Sequence, residues 1–209
     1  MQDHRSKEHK GNGGNAPRVR GPRSRDLRSR QLDSLVHVAV LAGLTIVGGF
    51  IRIPISVVPF TFQTFFVYLS GDLLGKKKGA LSQLVFLGIG LAGFPVFSSG
   101  GGLGYVLQPS FGYLVGFPLG AYVCGAIAQR QGCRRPLIRF FAANIVGMVV
   151  VLAIGALVLY GHFSIVENQS VSLAYTLWIG VAVFLPGECL KAVLAAWTAV
   201  RVLPVLNRG

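Results

Sequence analysis

Acidic residues are scarce in this chain: seven Asp and Glu stand among 209 residues, against twenty Lys and Arg. Charged side chains of both signs make up 13% of the total, while 52% of residues are hydrophobic. So little charge excludes an ordinary soluble domain, in which about a quarter of residues are charged, and fits a protein that crosses a bilayer several times. Cysteine is rare too. Cys124, Cys133 and Cys189 show neither C-x-x-C spacing nor the even number of a disulfide framework. Histidines 4, 9, 37 and 162 are scattered without paired ligand spacing, which excludes a zinc site of the usual kind. Nucleotide motifs are missing as well. Gly88-Ile-Gly90-Leu-Ala-Gly93 spells a dinucleotide fingerprint, but it lies inside an apolar run with no strand before it. The stretch from Gly71 to Lys77 is one residue short of a P-loop and has no Ser or Thr after the lysine.

What is abundant is positive charge in one place. Nine of the twenty basic residues fall between Arg5 and Arg30, in a stretch rich in Gly, Ser and Asn and poor in large apolar residues. Such a composition cannot bury a core, so residues 1–33 read as a disordered basic tail, with a membrane domain over 34–209. The formal charge of +13 resembles that of a nucleic-acid-binding protein. In a membrane chain, anionic lipid headgroups account for the same charge, and no nucleic-acid partner is expected.

From Leu35 onward, apolar runs alternate with short breaks: Leu35 to Ile51, Phe60 to Leu74, Gly79 to Phe97, Pro109 to Ala128, Leu137 to Tyr160 and Leu173 to Val200. The pattern predicts an all-α integral membrane bundle of six transmembrane helices in the cell membrane. The second run is short for a crossing of about 20 residues. The sixth is long and interrupted by Pro186-Gly187, where a kink is expected. Gly71 with Gly75, Gly116 with Gly120 and Ala39 with Gly43 are spaced for close helix approach. Basic residues set the orientation, because positively charged loops stay in the cytoplasm. Eighteen of them fall on one face and Arg52 alone on the other. Both termini are therefore expected in the cytoplasm, with outer loops at about 52–59, 98–108 and 161–172.

Inside the sixth run stand Glu188 and Lys191. Each charge at the centre of a membrane helix costs about 2.5–3.5 kcal/mol on insertion scales, so intramembrane charges mark functional sites by default. Three residues apart on a helix, the two share a face and can neutralise each other while pointing into one cavity. A structural ion pair pinning two helices is the other reading of the same residues. An intramembrane enzyme using them as acid and base is a third, and it lacks the His, Asp or Ser partners that would orient a nucleophile.

Five stretches in order carry a resemblance: Val58-Pro-Phe-Thr-Phe-Gln-Thr64, Gly71-Asp-Leu-Leu-Gly75, Gly93-Phe-Pro-Val-Phe97 with Gly100 to Gly102, Gln108-Pro-Ser-Phe-Gly-Tyr-Leu-Val-Gly-Phe117, and Phe184-Leu-Pro-Gly-Glu-Cys-Leu-Lys191. Together they resemble the BioY family, the biotin-specific substrate-capture subunits, or S components, of energy-coupling-factor transporters. The resemblance implies a six-helix protein that needs no cofactor and is not an enzyme. It would bind biotin from outside beneath the loop at 52–59 and work with an energising module of a transmembrane coupling subunit and two ATPase subunits. An S component for another small vitamin is the alternative.

In that family the last motif reads Pro-Gly-Asp with a lysine three residues on, and the two side chains hold the bicyclic head of biotin. Here Glu188 replaces the Asp, keeping the charge and adding a methylene, and Gln108 and Ser110 replace smaller or hydroxylated residues. Further candidates are Gln63 and Thr61 for polar contacts, Phe97, Tyr105 and Tyr113 as aromatic walls, and Arg52 to steer the ligand carboxylate.

The asymmetry of basic residues gives a topology test. Cysteines introduced near Lys77 and Arg135 should react only with reagents that reach the cytoplasm, and one introduced near Asn168 should react from outside. Labelling of all three from one side would overturn the map.

Overall fold

The computed structural model describes residues 24–55, 57–130, 135–165 and 171–206. Helix α1 spans Ser24–Phe50 and leads into a two-residue hairpin, β1 (Arg52–Ile53) against β2 (Phe60–Thr61), with Arg52 opposite Thr61 and Ile53 opposite Phe60. Helix α2 spans Gln63–Leu91, a short 3-10 turn covers Leu103–Leu107, and α3 (Phe111–Ala128) and α4 (Pro136–Ile165) follow. The chain ends in α5 (Leu173–Leu177), a π-helical turn at Trp178–Ala182, and α6 (Leu185–Leu206). Among the described residues, four helical stretches are long and apolar enough to cross a membrane: Gln31–Phe50, Phe111–Ala128, Pro136–Ile165 and Leu173–Leu206.

The expected loop between the second and third runs is a single residue. Gly75 has φ 76° and ψ 179° inside α2, a conformation open essentially to glycine alone. In an unbroken helix Ser70 and Gln83 would lie about 20 Å apart, yet Gln83 Nε2 donates to Ser70 Oγ at 3.2 Å. The chain therefore doubles back at Gly75, and the exposed Lys76, Lys77 and Lys78 follow the reversal directly. The arms, 63–74 and 76–91, measure about 18 Å and 24 Å. Both fall short of the hydrocarbon thickness of about 30 Å, which is why neither stands out as a crossing by length.

Two further boundaries differ from the sequence expectation. Residues 24–33, expected in the disordered tail, begin α1; residues 1–23 lie outside the described residues, as do Cys133 and Asn168. The long last run breaks at Val183–Phe184, ahead of Pro186-Gly187. Proline in the first turn of α6 gives up an N–H that has no helical partner there, so it starts a helix more readily than it kinks one.

The hairpin arms pack closely on α3. A Cβ on Gly71 would lie 2.5 Å from the Ala121 carbonyl oxygen, and Gly116 and Gly120 meet Val151 of α4 in the same way. Gly43, expected to bring helices together, faces nothing within 4 Å. The largest apolar cluster, including Tyr68, Phe86, Phe117, Val151 and Leu159, fills the space between α2, α3 and α4. Gln83 ties part of the buried polar surface together: its Nε2 also donates to Thr45 Oγ1 at 3.3 Å, joining α1 to both arms.

Gly75→Ala forces a side chain into the reversal and against Gln129, and we expect it to cost about 1–3 kcal/mol, read as a lower unfolding midpoint in detergent. Gly43→Ala should leave the midpoint in place. Equal midpoints for the two variants would show that the reversal tolerates a side chain.

Candidate substrate site

The break before Leu185 brings the first turn of α6 against the N-terminal arm of α2. Glu188 and Lys191, three residues apart, face that arm and are 5% and 2% exposed. They form an ion pair through Glu188 Oε1. The hydroxyl of Thr64 donates to Oε1 at 2.9 Å and accepts from Lys191 Nζ at 2.6 Å, while Tyr68 donates to Oε2 at 2.6 Å. Lys191 Nζ also donates to the Thr61 carbonyl oxygen at 2.8 Å and lies 4.0 Å from the centre of the Phe60 ring. All three ammonium protons thus have protein acceptors, with a cation–π contact besides. Glu188 Oε2 has one protein donor and keeps a lone pair to offer.

Beside the pair is a narrow cavity of about 50 Å³. Val58, Pro59 and Phe60 of the hairpin loop cover one side; Tyr113, Leu114 and Phe117 of α3, Val151 and Leu152 of α4, and Phe184 form apolar walls; Thr61, Gln63, Thr64, Ser98, Ser110 and Glu188 supply polar atoms. Gln63 is 2% exposed, and its Nε2 has no hydrogen-bond partner among the described residues. Its Oε1 accepts from the Thr61 hydroxyl at 3.2 Å. Glu188 therefore keeps an acceptor position beside the cavity; Gln63 lines the cavity as well, its buried Nε2 lying close to Gly49 of α1.

The candidates named from sequence divide accordingly. Glu188, Gln63, Thr61 and Tyr113 line the cavity, with the Tyr113 hydroxyl donating to the Gly180 carbonyl oxygen in the π-helical turn at 2.7 Å. Lys191 stands behind Glu188 and is not among the lining residues. Tyr105 acts at one remove: its hydroxyl bonds those of Ser98 at 3.1 Å and Ser110 at 3.0 Å, and both serines line the wall. Phe97 packs on Phe86 and Tyr105 rather than on the cavity. Arg52 lies outside the cavity, its Nη1 donating to the Ser98 carbonyl oxygen. Sequence reasoning missed Tyr68 and the role of Thr64. The signal was present: Thr64 and Tyr68 are four residues apart, which puts two hydroxyls on one helical face.

A sequence profile of the BioY family matches residues 22–208. The chain belongs to the BioY family. Among BioY relatives, the probable biotin transporter BioY of Lysinibacillus sphaericus is 42% identical over 181 residues, spanning 87% of this chain and 92% of that protein. The biotin transporter BioY of Thermotoga maritima is 34% identical over 170 residues, spanning 80% and 94%. A crystal structure of the S-component for biotin from an ECF-type ABC transporter superposes with a TM-score of 0.70 at 29% identity, covering 83% of this chain and 92% of that one. Like its BioY relatives, the chain is a multi-pass membrane protein.

Tyr68→Phe removes the one donor to Glu188 Oε2 among the described residues and leaves a buried carboxylate oxygen bare. A hydrogen bond to a charged group contributes about 1.5–3 kcal/mol, and a loss of that size is expected in detergent unfolding of this BioY chain. An unchanged midpoint would show that Tyr68 does not hold Glu188.

Proposed function

We propose that this chain takes up biotin as the substrate-capture subunit of an ECF-type transporter, binding the vitamin from the outer side. The observation that carries the reading is a cavity with apolar walls on α3 and α4 and polar groups gathered on one side, among them the Glu188 carboxylate with a remaining acceptor position and the Gln63 amide. The ureido group of biotin presents N–H donors beside a carbonyl acceptor on a compact apolar bicycle. Glu188 Oε2 accepts from the ureido N–H, Gln63 Nε2 donates to the carbonyl, and Tyr113, Leu114, Phe117 and Leu152 enclose the ring sulfur and the start of the valeryl chain. Lys191 pairs with the Glu188 carboxylate and holds it in position. Charge-assisted bonds in a dry site suit the capture of a scarce ligand.

A cavity of about 50 Å³ is smaller than the 300–1,000 Å³ usual for small-molecule sites. The ligand therefore displaces wall, and the wall most readily moved is the loop expected as the lid at 52–59, whose Val58 and Pro59 line the cavity and which is held by a hairpin of two residues a side. That loop serves as the lid.

In the same reading the two arms of α2 each count as a crossing, making six helices with α1, α3, α4 and the α5–α6 pair. Both termini face the cytoplasm, with the basic tail on anionic lipid and an energising module docking from the membrane side. Membership of a transporter family argues against acid–base catalysis by Glu188 and Lys191.

Binding of purified protein to biotin, riboflavin, thiamine and pantothenate tests the reading at its base: biotin alone should bind tightly. Within the site, Glu188→Gln should weaken biotin binding by about 1.5–3 kcal/mol, and Lys191→Met should act indirectly by stranding the carboxylate. Glu188→Gln combined with Lys191→Met removes both charges, so fold stability should recover while binding does not. Parental affinity in the double variant would reduce the pair to a structural ion pair.

A further inference from the structure

The ligand cavity shares a wall with a second space. Ser98 lines it on one side and on the other borders a wider polar vestibule of about 520 Å³, walled by Arg52, Ser98, Ser99 and Gly100 with Phe50 and Pro95 among the apolar neighbours. Arg52 is the one charged side chain among these lining residues, and no acid stands beside it there. Its backbone is opposite Thr61 across the hairpin, and Thr61 in turn holds Lys191 through its carbonyl oxygen. One guanidinium N–H is given to the Ser98 carbonyl oxygen, which fixes the side chain at the boundary of the two spaces. Four N–H donors remain. A planar fork so held matches a carboxylate, which accepts two parallel bonds.

We infer that the vestibule is an anion subsite for the carboxylate end of the ligand, read by Arg52, and that it makes the chain select the free acid over conjugates in which that carboxyl is an amide or ester. The inference rests on the biotin reading above. With the ureido group at Glu188 and Gln63, the valeryl chain passes Ser98 and leaves the apolar cavity for the vestibule. An amide placed there offers no charge to Arg52, whereas the head group contacts are unchanged. The two halves of the ligand are thus tied to two residues that face each other across one hairpin: Thr61, whose carbonyl oxygen holds Lys191 behind Glu188, toward the head, and Arg52, through its side chain, toward the tail.

Dissociation constants of biotin and biotinamide for the full chain in detergent, for the parent, Arg52→Gln and Arg52→Lys, test this. The parent should prefer biotin by about tenfold, between the worth of an exposed ion pair and that of a charge-assisted bond. Arg52→Gln should lower biotin affinity by about that factor and leave biotinamide within about twofold, and Arg52→Lys should keep part of the preference. Added salt should narrow the parental preference, because the subsite is open to solvent. Equal loss for both ligands in Arg52→Gln would show that Arg52 only straps the hairpin to Ser98, and an unchanged ratio would place the carboxylate elsewhere. A parent that binds both ligands alike removes the subsite and leaves the biotin reading standing. A parent that binds neither removes both.

Discussion

The buried Glu188–Lys191 pair is the constraint to which the surrounding end of the bundle answers. Two charges taken from water are repaid only when geometry is good and every remaining lone pair and proton finds a partner. Here the partners come from another element: the Thr61 carbonyl oxygen, the Thr64 hydroxyl and the Tyr68 hydroxyl all belong to the hairpin and the first arm of α2. That requirement fixes the position of α6 against α2. It also explains Gly187, where any Cβ would lie 2.4 Å from the Phe60 ring. A larger residue would push away the ring that faces Lys191.

The same need to satisfy polar groups without water shapes the middle of the protein. Gln83 gathers Thr45, Ser70 and Ser82 around its amide nitrogen, a staple across α1 and the two arms of α2. Asn144 of α4 donates to the Ala192 carbonyl oxygen at 3.1 Å, one residue beyond Lys191, so α4 supports the segment that carries the pair. These ties, together with glycines that let α2 and α3 touch backbone to backbone, give a rigid frame on three sides of the cavity. The fourth side is the hairpin loop, with two paired residues in each strand. Rigidity and access are thereby assigned to different elements.

Much of this was legible in the sequence because it depends on composition and spacing. The apolar runs foretold the helices, and two charges at i and i+3 in a run otherwise free of them foretold the ion pair. The break between Leu74 and Gly79 was legible, but its being a reversal made at Gly75 alone was not. Gly71 and Gly75 share the spacing of packing glycines, and nothing in the letters tells a glycine needed for a close approach from one needed for its backbone conformation. The extension of α1 back to Ser24 was hidden for a related reason: its charged residues signal solvation, and a solvated helix end has the same composition as a tail. Of the site, Glu188, Gln63 and Tyr113 could be named because they are polar or aromatic where the pattern asks for neither. Phe97 could not be separated from Tyr105 or Tyr113, since an aromatic in a core and an aromatic in a wall look alike until distances are known. Lys191 was expected to point into the cavity with its neighbour. Its three protons being already taken is a matter of three-dimensional contact that spacing does not carry.

That division between Glu188 and Lys191 bears on how the site binds. An acceptor held by Thr64, Tyr68 and Lys191 needs no reorganisation when a donor arrives, so little of the interaction is spent on ordering side chains. The extra methylene of glutamate, compared with aspartate, lets the carboxylate reach across to two hydroxyls of α2 while remaining within contact of Lys191 on its own helix. In the proposed reading, binding is an exchange: the ligand N–H takes the remaining lone pair of Oε2, and the ligand bulk displaces the loop. The ordering cost falls on the loop rather than on the charges, and the loop, tied down by so short a strand pair, is where that cost is smallest.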